Sequence, residues 1–180
     1  VRANAWMVKQ ALAQEKKGEA QKKSTAKEGA PPSMTLKPSP EMEKLTRIFA
    51  GAWSTAERHE AMDGFPAGQS QGVSSFRPGP GGLSLVEEHK SAGSMGRFAG
   101  LGVVSWDPKL GAYKSYWCDS MSPSGCEPMG TGRWEGENLV FTGEADFGGG
   151  KKVPTKEVYT DIKPTAFTFN MYMGDTSPSA

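Results

Sequence analysis

The chain has 180 residues, which is enough for one domain of ordinary size and a tail. Its 21 Lys and Arg residues nearly balance its 20 Asp and Glu residues, and the net charge of +1 argues against a nucleic-acid-binding surface. No apolar run approaches the roughly 18–20 residues that a transmembrane helix needs, so we expect no membrane span. The 23 Gly and 13 Pro residues favour many short strands joined by turns over a helical bundle.

The first 38 residues are rich in Lys, Glu, Ala, Gln and Ser and contain few large apolar side chains. Such a segment buries too little apolar surface to offset the entropy lost on ordering, so we predict a disordered polar tail over residues 1–38. The opening VRANAWMVKQALAQ lacks the apolar centre of a signal peptide, but it also fits the remnant of a leader that starts upstream. The localisation therefore stays open between the cytoplasm and export.

A short helix is predicted directly after this tail. Ser39 offers a capping hydroxyl, and Pro40 suits the first helical turn. Met42, Leu45 and Phe49 follow at helical spacing and predict one buried face.

The rest of the chain alternates apolar and polar residues, with clusters of Gly and Pro between the alternating runs. Because no helical pattern separates these runs, they predict an antiparallel meander, which avoids exposed edges most simply by closing into an up-and-down β-barrel. We place this all-β barrel in a domain over residues 39–180. Nine strands are predicted, at about 52–62, 70–77, 83–91, 96–106, 112–121, 126–135, 138–146, 153–162 and 166–173.

A series of short motifs runs along the predicted barrel. They are Gly51-Ala52-Trp53, Leu85-Val86-Glu87-Glu88, Phe98-Ala99-Gly100-Leu101-Gly102, Tyr113 to Trp117, Asp119-Ser120-Met121-Ser122, Gly130-Thr131 and Leu139-Val140-Phe141-Thr142-Gly143-Glu144. In order and spacing they resemble the DUF1579 family over about residues 41–173. That family consists of mostly bacterial proteins of undetermined function and belongs with the lipocalin-like, or calycin, barrels. The resemblance implies a calycin-like barrel whose closed end is plugged by Trp53.

Members of that family usually carry one more strand after the one that corresponds to residues 166–173, whereas this sequence ends at Ala180. We therefore predict a barrel that lacks its last strand. Its open edge would be available for self-association or for a partner strand, which makes a strand-edge interaction module one alternative function.

Strand alternation groups four polar residues in the predicted lumen. If Trp53 points inward, Glu57 and His59 share its face, and Glu87 and His89 share one face of the third predicted strand. Two carboxylates and two imidazoles suit zinc or iron, so a metal-assisted enzyme is a second alternative. Charged residues late in a strand are more typical of a solvated mouth, so we expect neither catalysis nor a metal or other cofactor.

The favoured hypothesis is a barrel that binds a small apolar or aromatic molecule, because aromatic and Met residues are spread over several strands. We place the end of the fifth predicted strand near the mouth. Tyr116 and Asp119 have opposite strand parity, so they cannot both face one ligand. The candidate ligand-binding residues are Trp53, Glu57, His59, Glu87, His89, Tyr116, Trp117, Asp119 and Met121.

The two cysteines, Cys118 and Cys126, flank a turn between the fifth and sixth predicted strands. The family-like run after Cys118 predicts that the strand continues to Met121, and this register separates the two cysteines along the hairpin. We therefore predict two free thiols. A disulfide would require one wide loop from Asp119 to Gly125 with the cysteines directly opposed at its base.

Overall fold

In a computed structural model the chain forms a β-barrel with a short helix at one end. The structure describes residues 2–9 (backbone only), 36–61, 66–123, 125–146 and 150–174. In chain order the elements of these residues are β1 (Arg2–Lys9), α1 (Pro40–Phe49), β2 (Gly51–His59), β3 (Gly68–Pro78), a 3-10 turn (Pro80–Gly82), β4 (Ser84–Gly93), β5 (Gly96–Asp107), β6 (Ala112–Asp119), β7 (Cys126–Glu135), β8 (Asn138–Ala145), β9 (Val153–Lys163) and β10 (Ala166–Met173). No helix in the described residues has the length and apolarity to cross a membrane.

The nine predicted strands correspond in order to β2–β10. Each pairs antiparallel with its neighbours in sequence, which gives the predicted up-and-down order in a curled sheet. β1 lies between the first and the last of these nine strands. It pairs antiparallel with both β2 and β10 and so closes the ring of ten strands.

The strand β1 changes two expectations about the ends of the domain. The open edge that we predicted for self-association is not present among the described strands, because β1 occupies it. The predicted polar tail includes Arg2–Lys9, whereas in the structure these residues form a strand. The physical reason is that β2 and β10 each present a row of unpaired backbone groups, which a strand inserted between them satisfies on both sides. Residues 10–35 of the predicted tail lie outside the described residues.

The helix α1 covers one end of the barrel, as its sequence pattern predicted. The Ser39 hydroxyl accepts a hydrogen bond from the backbone N–H of Met42 at 3.3 Å, which caps the helix. Met42, Leu45 and Phe49 are all buried. Gly51 begins β2 directly after α1 with a φ of 136°, a backbone conformation that residues other than glycine rarely adopt.

An aromatic core fills the barrel beneath α1. Trp53 is 1% exposed, and its indole N–H donates to the Phe49 carbonyl at 2.8 Å. The Phe167 ring meets Trp53 edge-on at a centroid distance of 4.7 Å and meets Phe49 edge-on at 5.1 Å. Phe76, Tyr113 and Phe141 are also buried in this core. This end, the closed end, is therefore sealed by apolar contacts.

Cys118 and Cys126 form a disulfide with their Cα atoms 4.0 Å apart, so the prediction of two free thiols is wrong. Strand β6 ends at Asp119, and Cys118 lies directly opposite Cys126. Asp119 ends the strand because its Oδ1 accepts the backbone N–H groups of Met121 and Ser122, each at 2.7 Å. This local turn, together with a register shift further along the β6–β7 pair, replaces the register that we expected.

Candidate functional site

The half of the lumen away from α1, the open half, contains a hydrogen-bonded cluster from β2, β3 and β4. At its centre is His89, which is 7% exposed. Its Nε2 lies 3.1 Å from Glu57 Oε1, and its Nδ1 lies 2.8 Å from Ser74 Oγ. Ser74 also donates to Glu87 Oε1 at 2.9 Å. Ser74 and His89 are cross-strand partners in the β3–β4 pair, which places their inward side chains side by side.

Glu57 is the most strongly hydrogen-bonded carboxylate of this cluster. Besides its contact with His89, it accepts from Thr55 Oγ1 at 2.7 Å and from Ser70 Oγ. Burial raises the pKa of Glu57, but the hydrogen bonds from His89, Ser70 and Thr55 outweigh burial and lower the pKa to about 2. Glu57 therefore carries a negative charge that its neighbours already satisfy.

Two further carboxyl groups lie on opposite walls of the barrel. Glu87 is on β4 and Glu157 is on β9, with four strands between β4 and β9 in either direction around the ring. Burial raises the pKa of Glu87, although the Ser74 hydrogen bond and the His89 charge oppose it. Burial and the charge of Glu87 together raise the pKa of Glu157 to about 7.

Glu157 differs from Glu57 because no described residue donates a hydrogen bond to its carboxyl group. The residue is only 8% exposed. Its partners on the two flanking strands are Phe141 and Met171, which offer no side-chain donor. Two residues along β9, the ring of Tyr159 packs against Phe49 and Phe167 of the closed-end core, so this residue lies at the border of the two halves. Its hydroxyl makes no hydrogen bond to the described part of the chain. Burial and the charges of Glu157 and Glu87 raise the pKa of that hydroxyl well above its usual value.

Beside the polar cluster, Phe98 and Trp117 form what we call the aromatic wall. The two rings stack at a centroid distance of 6.4 Å, and Phe98 lies 5.8 Å from the His89 ring. Trp117 lies flat on β5 because two glycines leave room for it. A Cβ atom at Gly100 would lie 2.2 Å from the indole, and one at Gly102 would lie 3.2 Å from it. Both aromatic rings are only half-buried.

The structure brings together three of the candidate residues in the way that strand parity predicted, namely Glu57, Glu87 and His89. His59 is the last residue of β2, and its Nδ1 is buried with no hydrogen-bond partner in the described residues. Trp53 is buried in the core of the closed end and borders the cluster, because its cross-strand partner on β3 is Ser74.

The candidates at the end of β6 separate according to their direction. Trp117 faces the lumen, and its indole N–H donates to Asp119 Oδ2 at 3.0 Å. Tyr116 faces outward and is 46% exposed, so it does not line the lumen. Met121 lies beyond the end of the strand and is 44% exposed. Asp119 is the last residue of β6, and its Oδ1 accepts the backbone N–H groups of Met121 and Ser122 in the turn that follows.

Three members of the site were not predicted from the sequence, namely Ser74, Glu157 and Tyr159. The available signal was strand alternation. Ser74 shares its parity with Phe76, and Glu157 shares its parity with Tyr159. An acidic residue in the middle of a strand, at an inward position, is an unusual feature in a small barrel.

The described residues contain no group of three or more His, Cys, Asp or Glu side chains placed to hold a metal ion. The hypothesis of a metal-assisted enzyme therefore has no ligand set in this part of the chain. Glu57 and His89, two of its four candidate ligands, bind each other.

Comparison with known proteins returns a family model described as "Protein of unknown function (DUF1579)", which matches residues 37–178. The matched range includes α1 and β2–β10. No curated protein and no solved structure matches the chain.

Proposed function

Since this chain belongs to the DUF1579 family, whose description assigns no activity, we propose its function from the geometry: the barrel binds a small organic molecule in its open half. The aromatic wall carries this proposal. Trp117 and Phe98 face the lumen as a stacked pair, and both remain half-buried. Aromatic faces left partly open inside a barrel suit an apolar or aromatic portion of a ligand.

The glycines under Trp117 add support to this proposal. Gly100 and Gly102 allow the indole to lie along the barrel wall, so that the ring does not project across the lumen. The polar cluster beside the wall offers buried hydrogen-bonding groups that could orient a ligand. A mainly apolar surface with a few convergent polar groups is the usual composition of small-molecule sites.

The alternative of a strand-edge interaction module receives less support. It depended on an open edge between β2 and β10, and β1 pairs with both of those strands.

The proposal is tested by titrating the neutral apolar dye Nile red into the protein and following its fluorescence. We expect saturable binding, and we expect Trp117→Leu to weaken it about tenfold through the loss of aromatic contact. Tyr116→Leu is the matched control, because Tyr116 is the adjacent residue on the same strand and faces outward. This control variant should bind as the unmodified protein does, with circular dichroism verifying that both variants fold.

Equal weakening by the two substitutions, or dye binding that never saturates, would contradict a site at the aromatic wall. Native mass spectrometry of the purified protein provides a second measurement, since a molecule held in the lumen would be detected as an added mass.

A further inference from the structure

We infer that the molecule bound in the lumen carries a protonated amine, which binds between Glu87 and Glu157. This inference rests on the proposed function and adds the chemical class of the ligand's polar group. It is carried by Glu157, an inward-facing carboxyl group to which no described residue donates a hydrogen bond and which forms no ion pair with a described cationic side chain.

The first step concerns Glu157. Glu157 is 8% exposed and accepts no hydrogen bond from any described residue, and an acid with this little access to water is costly to ionise. Its carboxyl oxygens are not among the fully buried polar atoms without a partner, so they can be reached from the lumen. Phe141 and Met171 flank Glu157 on the neighbouring strands and cannot donate to it. A ligand that supplies N–H groups would provide the missing donors.

The second step concerns the charge of the lumen. His89 forms an ion pair with Glu57, whereas no described cationic side chain lies within ion-pair distance of Glu87 or Glu157. The charge of His89 acts on Glu87 from the far side of Ser74. Strand alternation places the lysines and arginines nearest in sequence on the outer face. Arg58 follows Glu57, Lys90 follows His89 and Lys156 precedes Glu157. Because successive side chains of a strand point to opposite faces, these three cations point away from the lumen. The open half of the lumen is therefore suited to a positively charged group.

The third step concerns the kind of cation. A metal ion would need at least three close ligands, and no such group exists in the part of the chain that the structure describes. A primary ammonium group has three donors and needs three acceptors in a confined space. Glu87 and Glu157 offer carboxylate acceptors from opposite walls of the lumen, and the hydroxyl of Tyr159, two residues from Glu157 on the same face of β9, offers a third.

The pH dependence of binding follows from the groups that face Glu157. These are Glu87 on the opposite wall and Tyr159 on the same strand, with His89 and Glu57 beyond Glu87. Because the pKa of Glu157 is raised to about 7, the carboxyl group of the empty barrel is largely protonated at pH 6 and largely ionised at pH 8. Amine affinity should therefore fall about tenfold between pH 8 and pH 6.

The experiment compares three molecules that share one aromatic group and differ in charge. They are 2-naphthylmethylamine, which is protonated at pH 8, the neutral 2-naphthalenemethanol and the anionic 2-naphthoate. Isothermal titration calorimetry at pH 8 should give the amine an affinity at least tenfold higher than the alcohol, with the carboxylate weakest. Glu157→Gln should lower amine affinity about tenfold and leave alcohol affinity unchanged. Glu144→Gln, an exposed acid on β8, is the matched control and should change neither affinity.

The possible outcomes separate the two proposals. If the alcohol binds as tightly as the amine, or if Glu157→Gln weakens both equally, the inferred amine is wrong while the ligand-binding barrel stands. If none of the three molecules binds and Nile red does not bind either, both are wrong.

Discussion

The two ends of this barrel are built from opposite chemistry. At the closed end, α1 seals a core of buried aromatic side chains, and the polar N–H group of Trp53 is hydrogen-bonded. At the open half, buried carboxyl groups lie on facing walls, and Glu157 has no described hydrogen-bond donor. The closed end therefore has the composition of a protein core, whereas the open half retains groups whose burial opposes folding.

This difference suggests a division of roles between the two ends. Apolar burial near α1 supplies much of the stability on which an unfavourable polar lumen depends. Groups that reduce stability tend to persist where binding needs them, since function and stability are often in conflict at the same residues. Substitutions at the closed end should therefore lower stability most, and substitutions of the buried acids in the open half should raise it.

Phe49→Ala should destabilise the protein most, because this ring is 2% exposed and contacts Phe76, Tyr159 and Phe167. We expect a loss of about 3–5 kcal/mol in the free energy of unfolding, measured by urea denaturation. Leu110→Ala is the control, since Leu110 is 50% exposed, and its cost should stay below about 0.5 kcal/mol. Similar losses for the two variants would mean that the closed end is not the stabilising end.

Glu157→Gln should increase the free energy of unfolding of the ligand-free protein, whereas Phe49→Ala decreases it. Burial raises the pKa of Glu157 from 4.5, the value of an exposed glutamate, to about 7, so the folded state binds this proton more tightly than the unfolded chain does. Protonated Glu157 does not oppose folding at low pH, but its ionisation in the buried site lowers the free energy of unfolding as the pH rises from 4.5 through 7. The loss reaches about 3 kcal/mol at pH 8. The substitution should recover up to about 3 kcal/mol at pH 8 and less than about 1 kcal/mol at pH 5.

The same urea denaturation series at the two pH values measures this gain. Glu144→Gln on the outer surface should show no pH-dependent gain. If Glu157→Gln is neutral or destabilising at pH 8, the carboxyl group is satisfied in the empty protein and the contrast between the two ends is weaker than we infer.

Removing the disulfide at the rim of the open half should have the smallest effect of the three. Cys118 and Cys126 are eight residues apart, and closing a loop of this length restricts the unfolded chain by about 2.5 kcal/mol. The double variant Cys118→Ser/Cys126→Ser should lose about that amount, and a reducing agent should no longer affect its stability. Thiol titration of the denatured, unreduced protein should detect no free thiols, and detection of two would contradict the disulfide.

Strand alternation was sufficient to bring Glu57, Glu87 and His89 into one lumen, because side chains two residues apart share a face whatever the strand pairs with. It was insufficient at the end of β6, where Asp119 accepts backbone N–H groups and ends the strand two residues early. This early turn allows the disulfide to form. Hydrogen bonding by a single side chain is a local interaction that alternation does not include.

The sequence by itself determined the helix, the nine strands β2–β10, their antiparallel order and the family, because each of these depends on local periodicity, turn residues and motif order. The tertiary structure alone decided that Arg2–Lys9 close the barrel, and that Glu157 faces Glu87 across the lumen with no described donor. Both depend on which distant segments meet when the sheet curls. Long-range contacts of this kind leave no periodic trace in the residues that make them.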